Sequence, residues 1–275
     1  MHPAPRLDWQ LIDTVLLDMD GTLLDLRYDT EFWMEHLPST YARHHAVELD
    51  VARERLLAIM ASVRPTLDYY CFDFWSATTG LDIVALKPDL AHLIRYRPGA
   101  ERFMAAVRAS GRRSIIVTNA HPAGVALKHR LTGIRDRVDA VECAHDHAHP
   151  KEHPRFWERV RERLAFDPAR TLLVDDNLAV LDCARRFGIG HLLAVRQPDS
   201  GRPALTDLPW PAVDAFEDLL PPAQPRAGAN SPERVGSPER VDSPERVNSR
   251  ERVNSPERRD GLEPTTTALN GGDQP

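Results

Sequence analysis

Residues 14–25 read TVLLDMDGTLLD. Val15, Leu16 and Leu17 make a short apolar run of the kind that forms a strand buried on both faces. The run ends in Asp18-Met19-Asp20-Gly21-Thr22. Alternate side chains of an extended segment point the same way, so Asp18 and Asp20 can converge on one point. Open α/β sheets hold their ligands at the carboxyl ends of such strands, and Gly21 lets the chain turn sharply away. A bare DxDG is also what a strand followed by a polar turn looks like. Its meaning therefore depends on what appears downstream.

The chain changes character between Asp25 and Arg97, where apolar residues recur at helical spacing. Thr30 to His36 carries Phe32, Trp33 and Met34. The segment from Val47 to Val63 is predicted to place Val47, Val51, Leu56, Ile59, Met60 and Val63 on one helical face, stopping before Pro65. Leu67 to Thr79 concentrates Tyr69, Tyr70, Phe72, Phe74 and Trp75 ahead of Gly80. A further helix is expected from Lys87 to Arg95, with Pro88 in its first turn. From Pro98 the α/β pattern resumes. Helices are predicted at Ala100–Ser110, Ala123–Leu131, Pro154–Ala165 and Leu178–Phe187, and strands at Ser114–Val117, Val138–Cys143, Thr171–Val174 and His191–Val195, the last expected. Alternating strands and helices imply a parallel sheet with right-handed crossovers. The expected organisation is an α/β core over 1–24 and 98–222 and an inserted all-helical lobe over 25–97. Residues 223–275 are read as a disordered tail, because the repeat SPERVG, SPERVD, SPERVN, SRERVN, SPER has one apolar residue in six and cannot offset chain entropy.

The net charge of −6 is mild and spread along the chain, which gives no case for nucleic-acid binding. No apolar run approaches a membrane span, and MHPAPRLDWQ lacks the order of a signal peptide. Cys71, Cys143 and Cys183 are odd in number and widely spaced, against a disulfide framework and in favour of a cytoplasmic protein. They read as small buried apolar residues.

Put together, the strand ends carry complementary chemistry. Asp18 and Asp20 end one strand, Thr118 another and Asp175-Asp176 a third, while Lys151 opens the helix after a His-rich loop. Phosphoryl transfer to a carboxylate needs a nucleophile, a leaving-group acid, a cation bridging oxygens and donors for the remaining oxygens. Asp18 can attack. Asp20, crowded by other carboxylates, should have a raised pKa and can act as the acid. The all-oxygen set Asp18, Asp20, Asp175 and Asp176 suits Mg²⁺. Thr118 and Lys151 can bind the phosphate.

DMDGTLLD, TNAHP, HPKE and VDDN, in this order, resemble the four motifs of the haloacid dehalogenase superfamily of phosphatases. The helical insertion sits where that superfamily carries a cap. Trp9, DYYCFDFW at 68–75, GLDI at 80–83, TNAHP and QPDSG at 197–201 make the chain similar to the bacterial GMP/IMP nucleotidase group, over about residues 7–222. The resemblance implies a Rossmann-like core, an aspartyl-phosphate on Asp18, and Asp20 as acid and then base. It adds the Asn119 backbone to Thr118 and Lys151 as holders of the phosphate. It implies Mg²⁺ held by Asp18, the Met19 carbonyl and one of Asp175/Asp176, with Asp176 favoured. The expected substrate is a nucleoside monophosphate, with no nucleic-acid or membrane partner and a monomer or weak homo-oligomer as the working form. The alternative is a phosphatase or phosphomutase for another small ester, such as a sugar phosphate or phosphoglycolate. A receiver-type phosphoacceptor fits poorly, because such modules accept phosphate on a later strand. A catalytically dead binding protein has no support, since every reactive residue type is present.

Two patterns are weighed as ordinary structure. His145, His147, His149 and His153 could suggest a transition-metal site but are read as a solvated run. Phe72 and Phe74 are read as core of the helical lobe, while Tyr28, Tyr69, Tyr70 or Trp75 are the rings expected at the cleft, where they could stack on a base.

Overall fold

In the computed structural model, which describes residues 6–221, the opening run forms the central strand of a six-stranded parallel sheet, order β3-β2-β1-β4-β5-β6. The strands are β1 (Thr14–Leu17), β2 (Arg113–Thr118), β3 (Ala140–Cys143), β4 (Thr171–Asp175), β5 (His191–Val195) and β6 (Ala212–Val213). Every residue of β1 is buried, as expected of a strand covered on both faces. Val15 and Leu17 join one apolar cluster with Phe103, Met104 and Val107. Leu16 joins the other with Phe156, Trp157 and Val160. The helices behind these clusters are α6 (Ala100–Ala109), α7 (Pro122–Thr132), α8 (Pro154–Leu164) and α9 (Leu178–Phe187). From β1 the chain moves outward through β2 and β3, then returns to pair β4 on the other side of β1. The crevice between β1 and β4 is thus the point where the winding reverses, the ligand position of such sheets.

The insertion between β1 and β2 is all helical: α1 (Arg27–Glu31), a π-helical stretch (Phe32–His36), α2 (Leu37–His45), α3 (Leu49–Val63), α4 (Phe72–Thr79) and α5 (Ile83–Leu86), with a 3₁₀ turn before α4 and another after α5. It has its own apolar cluster of Phe32, Leu37, Leu56, Met60, Phe72, Trp75, Leu81 and Ile83. Its two connections to the sheet run side by side. Leu24 bridges Tyr96 in antiparallel fashion, Asp25 N–H donates to the Arg95 carbonyl at 3.0 Å, and Arg97 N–H to the Leu23 carbonyl at 2.9 Å. The QPDSG turn fastens this junction: Leu26 N–H donates to the Pro198 carbonyl, and Ser200 N–H to the Asp25 carboxylate, each at 3.0 Å.

Several expectations need correction. On α3 Leu56, Ile59, Met60 and Val63 pack into the insertion's cluster as expected, but Val51 is exposed and its neighbour Ala52 is buried instead. Residues 87–93 form a 3₁₀ helix rather than an α-helix, and α5 was not foreseen. His191–Val195 is not the last strand. The two-residue β6 follows, parallel to β5. The SPERV repeat lies outside the described residues.

Candidate active site

Each acidic residue of the site is placed by a strand end. Asp18 extends the β1/β4 pairing by one residue, its N–H donating to the Val174 carbonyl at 3.0 Å. Gly21 then turns at φ +85°, and a Cβ there would lie 2.6 Å from the Asp176 carboxyl. Glycine is needed both for the backbone angle and for the close approach of that carboxyl. Thr118 ends β2 and Asp175 ends β4.

A cavity of about 390 Å³ spans this end of the sheet and the underside of the insertion. Its lining includes every candidate named from the sequence: Asp18, Asp20, Thr118, Asn119, Lys151, Asp175, Asp176, Tyr28 and Tyr70. Lys151 Nζ bridges two of the acids, 2.5 Å from Asp18 Oδ1 and 2.7 Å from Asp175 Oδ2. Carboxylate oxygens of Asp18, Asp175 and Asp176 lie within 4.8 Å of one another. Such a hard-oxygen donor set can hold Mg²⁺. Both Asp175 oxygens already accept protein donors, Lys151 Nζ and the Asn177 N–H. Asp176 accepts from no other side chain among the described residues.

Two expected ligands lie elsewhere. The Met19 carbonyl accepts the N–H groups of Leu23 and Leu24 at 3.0 and 2.8 Å. These occupy its two lone pairs, so it is committed to the turn. Asp20 stands apart from the three-carboxylate group and pairs with Lys128 at 2.6 Å.

Electrostatics follow from this crowding. Burial raises the Asp18 pKa to about 6; Lys151 opposes the rise and Asp175 adds to it. Burial likewise lifts Asp20 to about 6 against the pull of Lys128, with Asp29 and Asp18 reinforcing it. Asp176 is pushed well above the carboxylate range by burial and by Asp18 and Asp175. A divalent cation among these oxygens would reverse the sign of that local field.

Sequence reasoning missed a second ion network. Lys128 on α7 reaches both Asp20 and Asp29, 2.6 Å each, and Lys87 pairs with Asp29 at 2.8 Å. Lys87 Nζ lies within 5.2 Å of the ring centres of Tyr28, Phe32, Trp33 and Phe72. Burial would depress Lys128, but Asp20 and Asp29 outweigh it and hold the ammonium at about 12. Glu152, next to Lys151, accepts Tyr70 Oη at 2.7 Å and the side-chain amides of Asn119 and Asn177 at 2.9 Å each. The one available signal was a lysine on the inward side of the helix after TNAHP.

Phe72 and Phe74 pack in the core of the insertion as expected, and Phe72 lines the cavity as well. Trp75 and Tyr28 line it too, yet they are closed in: Trp75 donates Nε1–H to the Tyr69 carbonyl, and Tyr28 donates its hydroxyl to the Lys87 carbonyl. The histidines are not one solvated run. His147 is buried and 2.6 Å from Glu142, His149 stacks on His153, and His145 meets His121. Cys143 and Cys183 are buried as expected, and Cys71 is half-buried.

This arrangement of a parallel sheet, acidic strand ends and a bridging lysine agrees with the comparisons. Residues 12–188 match the haloacid dehalogenase-like hydrolase family, and the chain belongs to it as an enzyme of the phosphatase type. Among individual relatives, it is 39% identical over 216 residues to the GMP/IMP nucleotidase YrfG of Escherichia coli K12, covering 78% of this chain and 97% of that protein. The Shigella flexneri protein of the same name matches equally. A haloacid dehalogenase-superfamily phosphatase structure from Thermococcus onnurineus shares the fold with a TM-score of 0.63 at 24% identity, over 76% of this chain and 96% of that one. No helix among the described residues is long and apolar enough to cross a membrane.

Proposed function

We propose that this chain is a cytoplasmic, Mg²⁺-dependent phosphomonoesterase that hydrolyses purine 5′-nucleotides, GMP and IMP, to nucleoside and phosphate. The observation that carries the reading is the 39% identity to a GMP/IMP nucleotidase across nearly all of that protein, helical insertion included. The three unpaired cysteines support the compartment.

Asp18 attacks phosphorus through a carboxylate oxygen and forms an aspartyl-phosphate as the ester oxygen departs. Asp20, with its pKa near 6, gives that oxygen a proton and then takes one from the water that cleaves the intermediate. Lys151 orients Asp18 and, with Thr118 and the Asn119 backbone, binds the phosphoryl oxygens. Bound Mg²⁺, held by Asp18 and Asp176 with Asp175 in support, supplies positive charge to the phosphoryl oxygens. Lys128 keeps Asp20 in place beside Asp29. The segment 25–97 acts as a cap that covers the leaving group, where Trp33, Tyr69, Tyr70 and Phe72 offer ring surface to a base.

The test is a phosphate-release screen over nucleotides and sugar phosphates with and without Mg²⁺. Stacking on one ring contributes roughly 1–3 kcal/mol. GMP and IMP should therefore exceed ribose 5-phosphate and pyrimidine nucleotides in kcat/KM by at least about tenfold. Equal rates on all esters would sink the nucleotide reading and leave a general phosphatase.

A further inference from the structure

Beside the carboxylate site, three residues of softer chemistry meet. Cys71 comes from the helical insertion, His121 follows β2 and His145 follows β3, and one ligand atom from each lies within 4.8 Å of the others. The two imidazoles are set edge to face, centres 5.1 Å apart at 80°. A second observation points to a missing partner. Both ring nitrogens of His145 are closed off from solvent and have no hydrogen-bond partner among the described residues. Buried polar atoms are normally satisfied, and an orphan of this kind calls for an explanation such as an ion. His121 is held in position by stacking on Phe72 at 4.8 Å.

We propose that Cys71, His121 and His145 form a Zn²⁺ site that fastens the helical insertion to the sheet at the rim of the cavity. One thiolate and two imidazoles are a ligand set for Zn²⁺ and a poor one for Mg²⁺. Tetrahedral coordination leaves a fourth position for water or for Asp73, whose Oδ2 is 3.7 Å from His121 Nε2. Binding through Nε2 puts the proton on His121 Nδ1 and gives up its 3.3 Å contact from the Ala123 N–H. A single helix-cap contact of that kind is weak beside a metal–ligand bond. Cys71 and the two histidines belong to segments on opposite sides of the junction, and His121 also lines the cavity. Metal occupancy therefore couples to how firmly the insertion sits over the substrate.

The experiment uses the full chain, stripped of metal and held in saturating Mg²⁺ so that the carboxylates are occupied. Zn²⁺ titration should show one tight equivalent and raise Tm by about 5 °C or more once the ion exceeds Kd a hundredfold. Co²⁺ in its place should give a thiolate-to-cobalt absorption band. Cys71→Ser and His145→Gln should each lose the band and the Tm shift, while Cys183→Ser and Asp176→Asn keep both. His145→Gln serves as the second variant should Cys71→Ser fold poorly, and metal-free melting of each variant reports its folding. Absence of a tight equivalent overturns the proposal. So does a Tm shift or a thiolate band that survives in His145→Gln.

Discussion

At the residue scale the site is a problem of crowded, buried charge of both signs. Five aspartates and three lysines line one cavity, with Arg64 and Arg202 also on its wall. Asp18→Asn keeps the shape and removes the nucleophilic oxygen. Turnover should fall by at least about a thousandfold, and acid quench should trap no acyl-phosphate; retention of a tenth of the activity excludes covalent catalysis here. Asp29 has a different task. Burial would raise its pKa, but Lys128 and Lys87 overcome this and hold it well below the carboxylate range. A group depressed in the folded state stabilises fully above its unfolded pKa of about 3.9, and that contribution is lost as pH falls toward the folded value. Asp29→Asn leaves two buried ammonium groups short of a partner, so it should cost about 3–5 kcal/mol in urea unfolding at pH 7. The gap to wild type should narrow below about pH 4. A gap constant from pH 7 to pH 3 would show that Asp29 acts through shape alone.

At the scale of elements, legibility followed the length of the local pattern. The helix Leu178–Phe187 and the strand His191–Val195 match their expected bounds to the residue, the helix because Gly188 closes it and the strand because Leu192–Val195 is an unbroken apolar run. β6 was missed because two residues carry no period. On α3 the choice between Val51 and Ala52 is a shift of one position. Intrinsic hydrophobicity favours Val51, yet Ala52 is the residue that is buried. The candidate site was legible because its acids sit on strand ends. The pairing of Lys128 with Asp29 was not, since 99 residues separate them and only the fold brings them together. Tyr69 tests the insertion's role directly. Its ring lines the cavity, with Arg64 over one face and Tyr70 at its edge. Tyr69→Ala should reduce the preference for GMP over ribose 5-phosphate by about tenfold. Hydrolysis of p-nitrophenyl phosphate, which has no base to stack, should stay within about twofold. Equal losses on both would place Tyr69 in the architecture of the insertion rather than in recognition.

At the scale of the whole molecule, the question is how much chain the enzyme needs. The sheet, the insertion and the junction that joins them are complete within the described residues. Phe216, Leu219 and Leu220 close the main cluster, with the Phe216 ring against Phe103 on α6. The nucleotidase of E. coli is matched over 97% of its own length by 216 residues, fewer than the 275 of this chain. A chain ending at Pro222 retains every residue of the cavity and of all three apolar clusters. Stability tracks the apolar area removed from water, and the apolar clusters of the described residues lose no member on truncation. The shortened enzyme should melt within about 2 °C of the full chain, since 1 kcal/mol moves Tm by about 2–4 °C at this size. Its kcat/KM for GMP should be the same within about twofold. Calorimetry and a phosphate-release assay on the two proteins side by side decide the matter, and a drop of several degrees would show that the repeat contributes contacts to the folded enzyme.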